Sequence, residues 1–210
     1  MFYYRWMPVP PPPLPFARAR SAAQRQDRMA QLTAVTRELL THTRSTTLTL
    51  GDVAAAAGLA KSGILRYAGS REALLLRVMH EEHLAWIDAL AGALPGCAPA
   101  AALARTLAAR PVLCDLIAAS PVLISRLGPD ELQVLASQAN DAQRRLGAAL
   151  RPSLPLSANQ LGALTAAVHA FTGTTWAWSN PDSVQPIVTD FEATVLRLLE
   201  VFIAGLLSTG

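Results

Sequence analysis

Met29, Leu32, Thr36, Leu39 and Leu40 recur at three- and four-residue intervals, which puts them on one face of a helix starting near Gln26. The polar run Thr41–Thr47 ends it. Thr49 and Asp52 have the spacing of a capping box, so a second helix opens there with Val53, Ala54 and Ala57 turned inward. Gly58 supplies the tight turn that a side chain would resist. A short third helix follows from about Ala60 to Ala68. Ala60, Ile64 and Ala68 fall on its inner side; Lys61, Ser62, Leu65 and Arg66 fall on its outer side. Gly69 breaks it, and Ser70 caps a fourth helix running through Leu94, with Glu72 in the first turn where the helix dipole favours negative charge. Helical spacing continues over 99–109 and 111–127, parted at Arg110-Pro111. After Gly128-Pro129, Leu132, Leu135, Ala139, Ala142, Leu146 and Leu150 mark a long helix. Two further helices are predicted, over 158–179 and 183–207. No alternating strand pattern and no internal repeat emerge. The fold class is all-α.

Composition narrows this. The 210 residues are 51% hydrophobic and 16% charged, enough for one or two compact domains with a real core. Cys97 and Cys114 have no paired spacing, which argues against a disulfide framework or structural zinc and for reduced, buried thiols. No apolar run reaches the ~18 residues of a membrane span. The N-terminal MFYYRWMPVPPPPLPF is too broken by proline to be a signal peptide, so the expectation is a cytoplasmic protein that touches no membrane. Residues 1–20 read as a proline-rich disordered arm. The net charge of +3 is unevenly spread: residues 1–80 carry 11 Arg/Lys against 4 Asp/Glu, a balance of +7, and residues 81–210 carry 7 against 11, a balance of −4. A basic head on a mildly acidic body suits a polyanion partner.

Three short helices with a glycine turn between the second and third form a helix-turn-helix. The outer side of the third carries two cations and a hydroxyl, the equipment of a helix that reads a DNA groove. Gly63 in its middle costs roughly 1 kcal/mol relative to Ala, which points to a steric demand from outside the chain.

The stretch TLTLGDVAAAAGLAKSGILRYAGSREALL, residues 47–75, resembles the TetR family of bacterial transcriptional regulators. The matching residues are Thr49-Leu50, Val53-Ala54, Ala57-Gly58-Leu59-Ala60, Ile64 to Ala68 and Ser70 to Leu74. Two departures stand out: Leu65 replaces a usual tyrosine, and Ala68 replaces a usual phenylalanine whose loss leaves space to fill. The resemblance implies a helix-turn-helix DNA-binding domain at 21–70 and a helical effector-binding and dimerisation domain at 71–210. It implies a homodimer on a palindromic double-stranded operator, acting as a repressor and released by a small-molecule effector, with no cofactor.

DNA contacts are expected from Thr49, Lys61, Ser62, Gly63, Leu65, Arg66, Tyr67 and Arg71. Thr49, Tyr67 and Arg71 would hold phosphates, Lys61, Ser62 and Arg66 would meet base edges, and Leu65 could meet a thymine methyl. His83, Trp86, Arg110, Cys114, His169, Phe171 and Trp176 lie on the helices that line the family's effector pocket. The last two helices would pair across the dimer, with Gly162, Ala163, Ala166, Ala167, Ala170 and Gly173 allowing close contact and Phe191, Leu198, Leu199 and Phe202 supplying apolar area.

Other motifs are weaker. His80-Glu81-Glu82-His83 spaces its histidines three apart rather than four, so it reads as a solvated face and not a metal site. Gly58-x-x-Lys61-Ser62 lacks the glycine and the preceding strand of a phosphate loop. No nucleophile or carboxylate pair supports an enzyme. The alternatives are a DNA-binding regulator without an effector, and a helical ligand carrier or interaction protein with a vestigial helix-turn-helix.

Overall fold

The computed structural model describes residues 15–181 and 185–208, with side chains from residue 23 onward except those of Lys61 and Ser62. Among these residues there are nine helices and no strand. They are α1 (Pro15–Leu40), α2 (Leu50–Ala56), α3 (Lys61–Ala68), α4 (Arg71–Ala93), α5 (Pro99–Ala108), α6 (Pro111–Ile124), α7 (Pro129–Leu150), α8 (Ala158–Ser179) and α9 (Phe191–Ser208).

Boundaries differ from the sequence reading at two places. Helix α1 begins at Pro15, well before Gln26, so residues 15–20 are helical. Its early turns mix alanine with arginine without helical spacing of large apolar residues, and residues 23–28 are exposed, so no apolar rhythm announces them. The arm expected over 1–20 otherwise falls on residues 1–14, outside the described residues. Helix α9 begins at Phe191 rather than 183. Asp190 caps it, its Oδ1 accepting from the Ala193 amide at 2.9 Å. The preceding turn is held by the amides of Ile187 and Val188 on the Trp178 carbonyl. The local caps are as expected: Thr49 and Asp52 form a full capping box on α2, and Ser70 Oγ accepts from Ala73 on α4.

Two cores stack along α4. The head core holds Leu32, Leu40, Leu48, Val53, Ala54, Ile64 and Ala68, closed from below by Leu74, Leu75 and Val78 of α4 and by Val112, Leu116 and Leu123 of α6. The body core gathers Trp86, Leu90, Leu103, Leu107, Leu113, Leu146 and Leu199. The packing boundary therefore runs through α4 and α6 rather than through the turn at residue 70. In the body α5 packs on α9, α6 on α8, and α4 on both α6 and α7. Among the described residues no single helix is long and apolar enough to cross a membrane; α5 and α6 reach that length only as a pair bent by 92°.

Candidate functional site

Helix α3 is held from one side. Ile64 is fully buried and Ala68 nearly so, whereas Ala60, expected inward, is the exposed N-cap. Opposite them Leu65 is 45% exposed, Arg66 is exposed, and a Cβ added at Gly63 would meet nothing within 4 Å. The outer face of α3 is thus bare at Gly63, Leu65 and Arg66; the side chains of Lys61 and Ser62 lie outside the described residues. The Arg66 guanidinium sits 5.8 Å from the centre of the Tyr67 ring, which is itself half-buried against the head core. Arg25 of α1 reaches the same end of the helix, Nη2 donating to the Arg66 carbonyl at 3.3 Å.

Two residues expected on phosphates are engaged within the chain. The Thr49 hydroxyl donates to Asp52 Oδ2 at 2.7 Å and accepts from the Asp52 amide at 3.2 Å. Those bonds hold the Asp52 carboxyl below its usual pKa. The Arg71 fork closes on the chain itself: Nε donates to the Leu48 carbonyl at 2.6 Å, Nη2 to the Ser45 carbonyl, and Nη1 lies 3.4 Å from Glu72. Arg71 therefore staples the loop before α2 to the start of α4.

Two further ties join head to body, neither visible as a motif. Asp115 of α6 is buried, accepts from the Ser45 amide at 2.7 Å, pairs with Arg44 at 2.7 Å, and receives the Trp176 indole N–H at 3.4 Å. Glu131 of α7 receives the Ser70 hydroxyl at 2.9 Å and the Gly128 amide at 3.0 Å. The second tie grips the turn that ends α3, where Gly69 has φ +74°.

A cavity of about 380 Å³ lies between α4, α6, α7 and α8. Met79, Ile124 and Leu135 give it apolar walls, and Gln138, Gln143 and Thr165 add polar groups. His80, His83 and His169 also line it. The His83 and His169 rings meet edge to face with centroids 4.8 Å apart. His169 Nδ1 lies 2.8 Å from the Thr165 carbonyl, which can only accept, so Nδ1 carries the proton. Burial, reinforced by the two neighbouring imidazoles, pushes His83 down to about 3. Burial lowers His169 as well, and lowers His80 against the pull of Asp141 and Glu81. Among the described residues no cluster of three or more His, Cys, Asp or Glu is arranged to hold a metal ion.

A second cavity of about 290 Å³ opens at the seam of head and body, where Ala68 replaces the larger ring. Met29, Leu74, Leu127 and Leu135 line it, so Leu135 borders both spaces, as does Gln138.

The family model for the tetracyclin repressor-like C-terminal domain matches residues 80–210. The chain belongs to the TetR family. This is a family of transcriptional regulators, not of enzymes. The fold is similar to a TetR transcriptional regulator from Rhodococcus sp. RHA1, at 19% identity over 88% of this chain and 98% of that one, TM-score 0.58. It is also similar to the transcriptional regulator FadR from Bacillus subtilis in complex with stearoyl-CoA, at 13% identity over 84% and 98%, TM-score 0.57. A tetR-family regulatory protein from Rhodococcus RHA1 gives 17% identity over 85% and 96%, TM-score 0.51. No match emerges among curated protein sequences.

Within this TetR-family body the expected effector residues separate. Only His83 and His169 line the central cavity. Trp86 is 1% exposed and donates its indole N–H to Thr106 Oγ1 at 3.0 Å, a core role. Cys114 is buried, with its thiol raised to about 12 by burial and by Asp115; Cys97 is free and half-buried. Arg110 pairs with Glu82 at 3.2 Å on the outer side of α4. Phe171 meets Phe202 edge to face, and Trp176 meets Phe191 in the same way. The His80–His83 face, read as solvated, turns inward instead because α7 and α8 cover α4 there.

The dimer candidates separate too. Leu199 and Ala167 are core, and Gly173 lets α6 approach, an added Cβ lying 3.4 Å from Ile117. Leu198, Val201 and Leu207 of α9 stay 37%, 71% and 47% exposed, and Ala163, Ala166, Ala170 and Trp178 of α8 are exposed as well.

Proposed function

We propose that this protein is a dimeric, ligand-responsive repressor that reads a palindromic operator with α3 and is released by a small molecule bound in the α4–α6–α7–α8 cavity. The observation that carries the reading is the bare outer face of a helix anchored solely from behind: Ile64 in the core, Leu65 and Arg66 outside, and empty space over Gly63. A helix so mounted can enter a major groove without repacking. Lys61, Ser62 and Arg66 are assigned to base edges, Leu65 to a thymine methyl, and Tyr67 to phosphate. Thr49 and Arg71 serve by fixing α2 and α4 rather than by touching DNA.

The exposed pair Leu198 and Val201 on one face of α9, with the exposed alanines of α8, supports a twofold interface, which would present two copies of α3 to one operator. Residues 71–210 then form the effector and dimerisation domain, with the two first turns of α4 shared with the head. Helix α7 supports the coupling route: Leu135 and Gln138 border the cavity, while Glu131 at its start grips Ser70 directly behind α3. Effector and operator must then weaken each other by the same factor.

DNA fragments protected by the protein in its native genome identify the operator. Binding to that fragment should fall as salt rises, by roughly 0.9 in log K per phosphate contact per log unit. Lys61→Ala with Arg66→Ala should abolish the preference for that site over random duplex. Binding that ignores salt and sequence would instead favour a helical carrier with a vestigial head.

A further inference from the structure

We infer that the central cavity takes an uncharged, mainly apolar molecule bearing a hydroxyl, of the phenol type, and not a carboxylate or a phosphate ester; this rests on reading that cavity as the effector site. The first ground is charge. Among the described residues, the cavity wall contains no lysine, arginine, aspartate or glutamate. Arg110, the arginine expected to meet the ligand, is paired with Glu82 on the far side of α4. An anion entering here would shed part of its hydration and gain no fixed countercharge from the wall, which is a net penalty. Its only route to a cation is to protonate an imidazole that burial keeps neutral, His83 most strongly.

The second ground is hydrogen bonding. His169 donates from Nδ1 to Thr165, so its Nε2 is a bare acceptor that seeks a donor. Nε2 of His83 is buried without a hydrogen-bond partner. A hydroxyl supplies the donor that His169 Nε2 seeks, and the side-chain amides of Gln138 and Gln143 on the same wall can donate back to its oxygen. A carbonyl or ether offers nothing to His169. The His83 ring meets the His169 ring edge to face, with centroids 4.8 Å apart, and so backs the side chain that would hold the ligand's polar end. The rest of the molecule would lie against Met79, Ile124 and Leu135. The volume of about 380 Å³ sits at the small end of ligand sites, which run from about 300 to 1,000 Å³.

Calorimetric titration of the full chain at neutral pH with 2-naphthol, naphthalene and 2-naphthoate tests this. The three probes share an apolar frame and differ in the polar group. Naphthol should bind about tenfold or more tighter than naphthalene, the effect of one or two net hydrogen bonds, and at least about tenfold tighter than naphthoate. His169→Phe keeps a ring and removes the accepting nitrogen; it should erase naphthol's advantage while sparing naphthalene. His169→Leu serves as the second variant should the first not fold. Naphthoate matching naphthol, naphthol no better than naphthalene, or no naphthol binding at all overturns the ligand class. Naphthol binding that survives Ala166→Phe, which obstructs the cavity, overturns the location. Naphthol that binds as described yet leaves operator affinity unchanged refutes the regulatory reading of the cavity while leaving its chemistry intact.

Discussion

Gly63 separates the interests of the fold from those of the proposed interface. Nothing within the chain occupies the space over it, so Gly63→Ala should stabilise the head by roughly 1 kcal/mol. The same methyl would stand between α3 and a groove, so operator affinity should fall; melting and operator titration of the variant check both halves. Ala68 is the opposite case. It lines the seam cavity of about 290 Å³, and Ala68→Phe should raise stability by about 0.5–2 kcal/mol by filling it. A clear drop in melting temperature would mean that the ring cannot fit there. The half-buried histidines His83 and His169 make stability depend on pH. Their folded pKa values lie below the unfolded value of about 6.5, so the unfolded chain binds more protons as pH falls below that point. Stability should be full above about pH 6.5 and decline on acidification, by up to about 1.4 kcal/mol per pH unit for each histidine, towards about pH 3 for His83. Denaturant melts across pH 7 to 5 should show a shallower slope in His83→Phe.

Among the elements, α7 and the loop before α2 link the cavity to the head. Asp115 ties that loop to the body with an ion pair and two N–H donors, so Asp115→Ala should cost about 2–3 kcal/mol, read by denaturant unfolding. Glu131→Gln tests transmission rather than stability. It weakens the grip on Ser70 without touching the cavity wall, so ligand affinity should hold while the ligand-induced loss of operator binding shrinks. Calorimetry and an operator titration with and without ligand separate the two. These ties show where sequence reading stops. The caps at Thr49 and Ser70 are legible because capping joins residues three apart. Asp115 meets Ser45 across 70 positions and Glu131 meets Ser70 across 61, and no local spacing encodes such a pair.

At the scale of the whole molecule, the described residues leave apolar side chains of α9 without cover. Leu198 and Val201, three apart on one face of α9, lie outside the body core that α5 and α8 form with it. Apolar side chains at this exposure on one helix mark an association face. Val201→Glu should leave the fold intact, since Val201 is 71% exposed, while shifting sedimentation toward monomer and weakening operator binding. Loss of operator affinity without a change in mass would place Val201 elsewhere in the mechanism.

Helix number, helix type and the inward register of Ile64 and Ala68 follow from the sequence alone, because apolar spacing and capping act over three to five residues. The basic head and the helix-turn-helix are likewise written locally, and they suffice for the family. The site inside the body was decided by packing. Of seven expected effector residues only His83 and His169 meet in the cavity, because which face of α4, α6 or α8 is covered depends on neighbours far along the chain. The same dependence turned His80 inward, gave Arg71 a structural task and set Arg110 on the opposite side of α4. Periodicity says that a face is apolar or polar; only the tertiary arrangement says what lies against it.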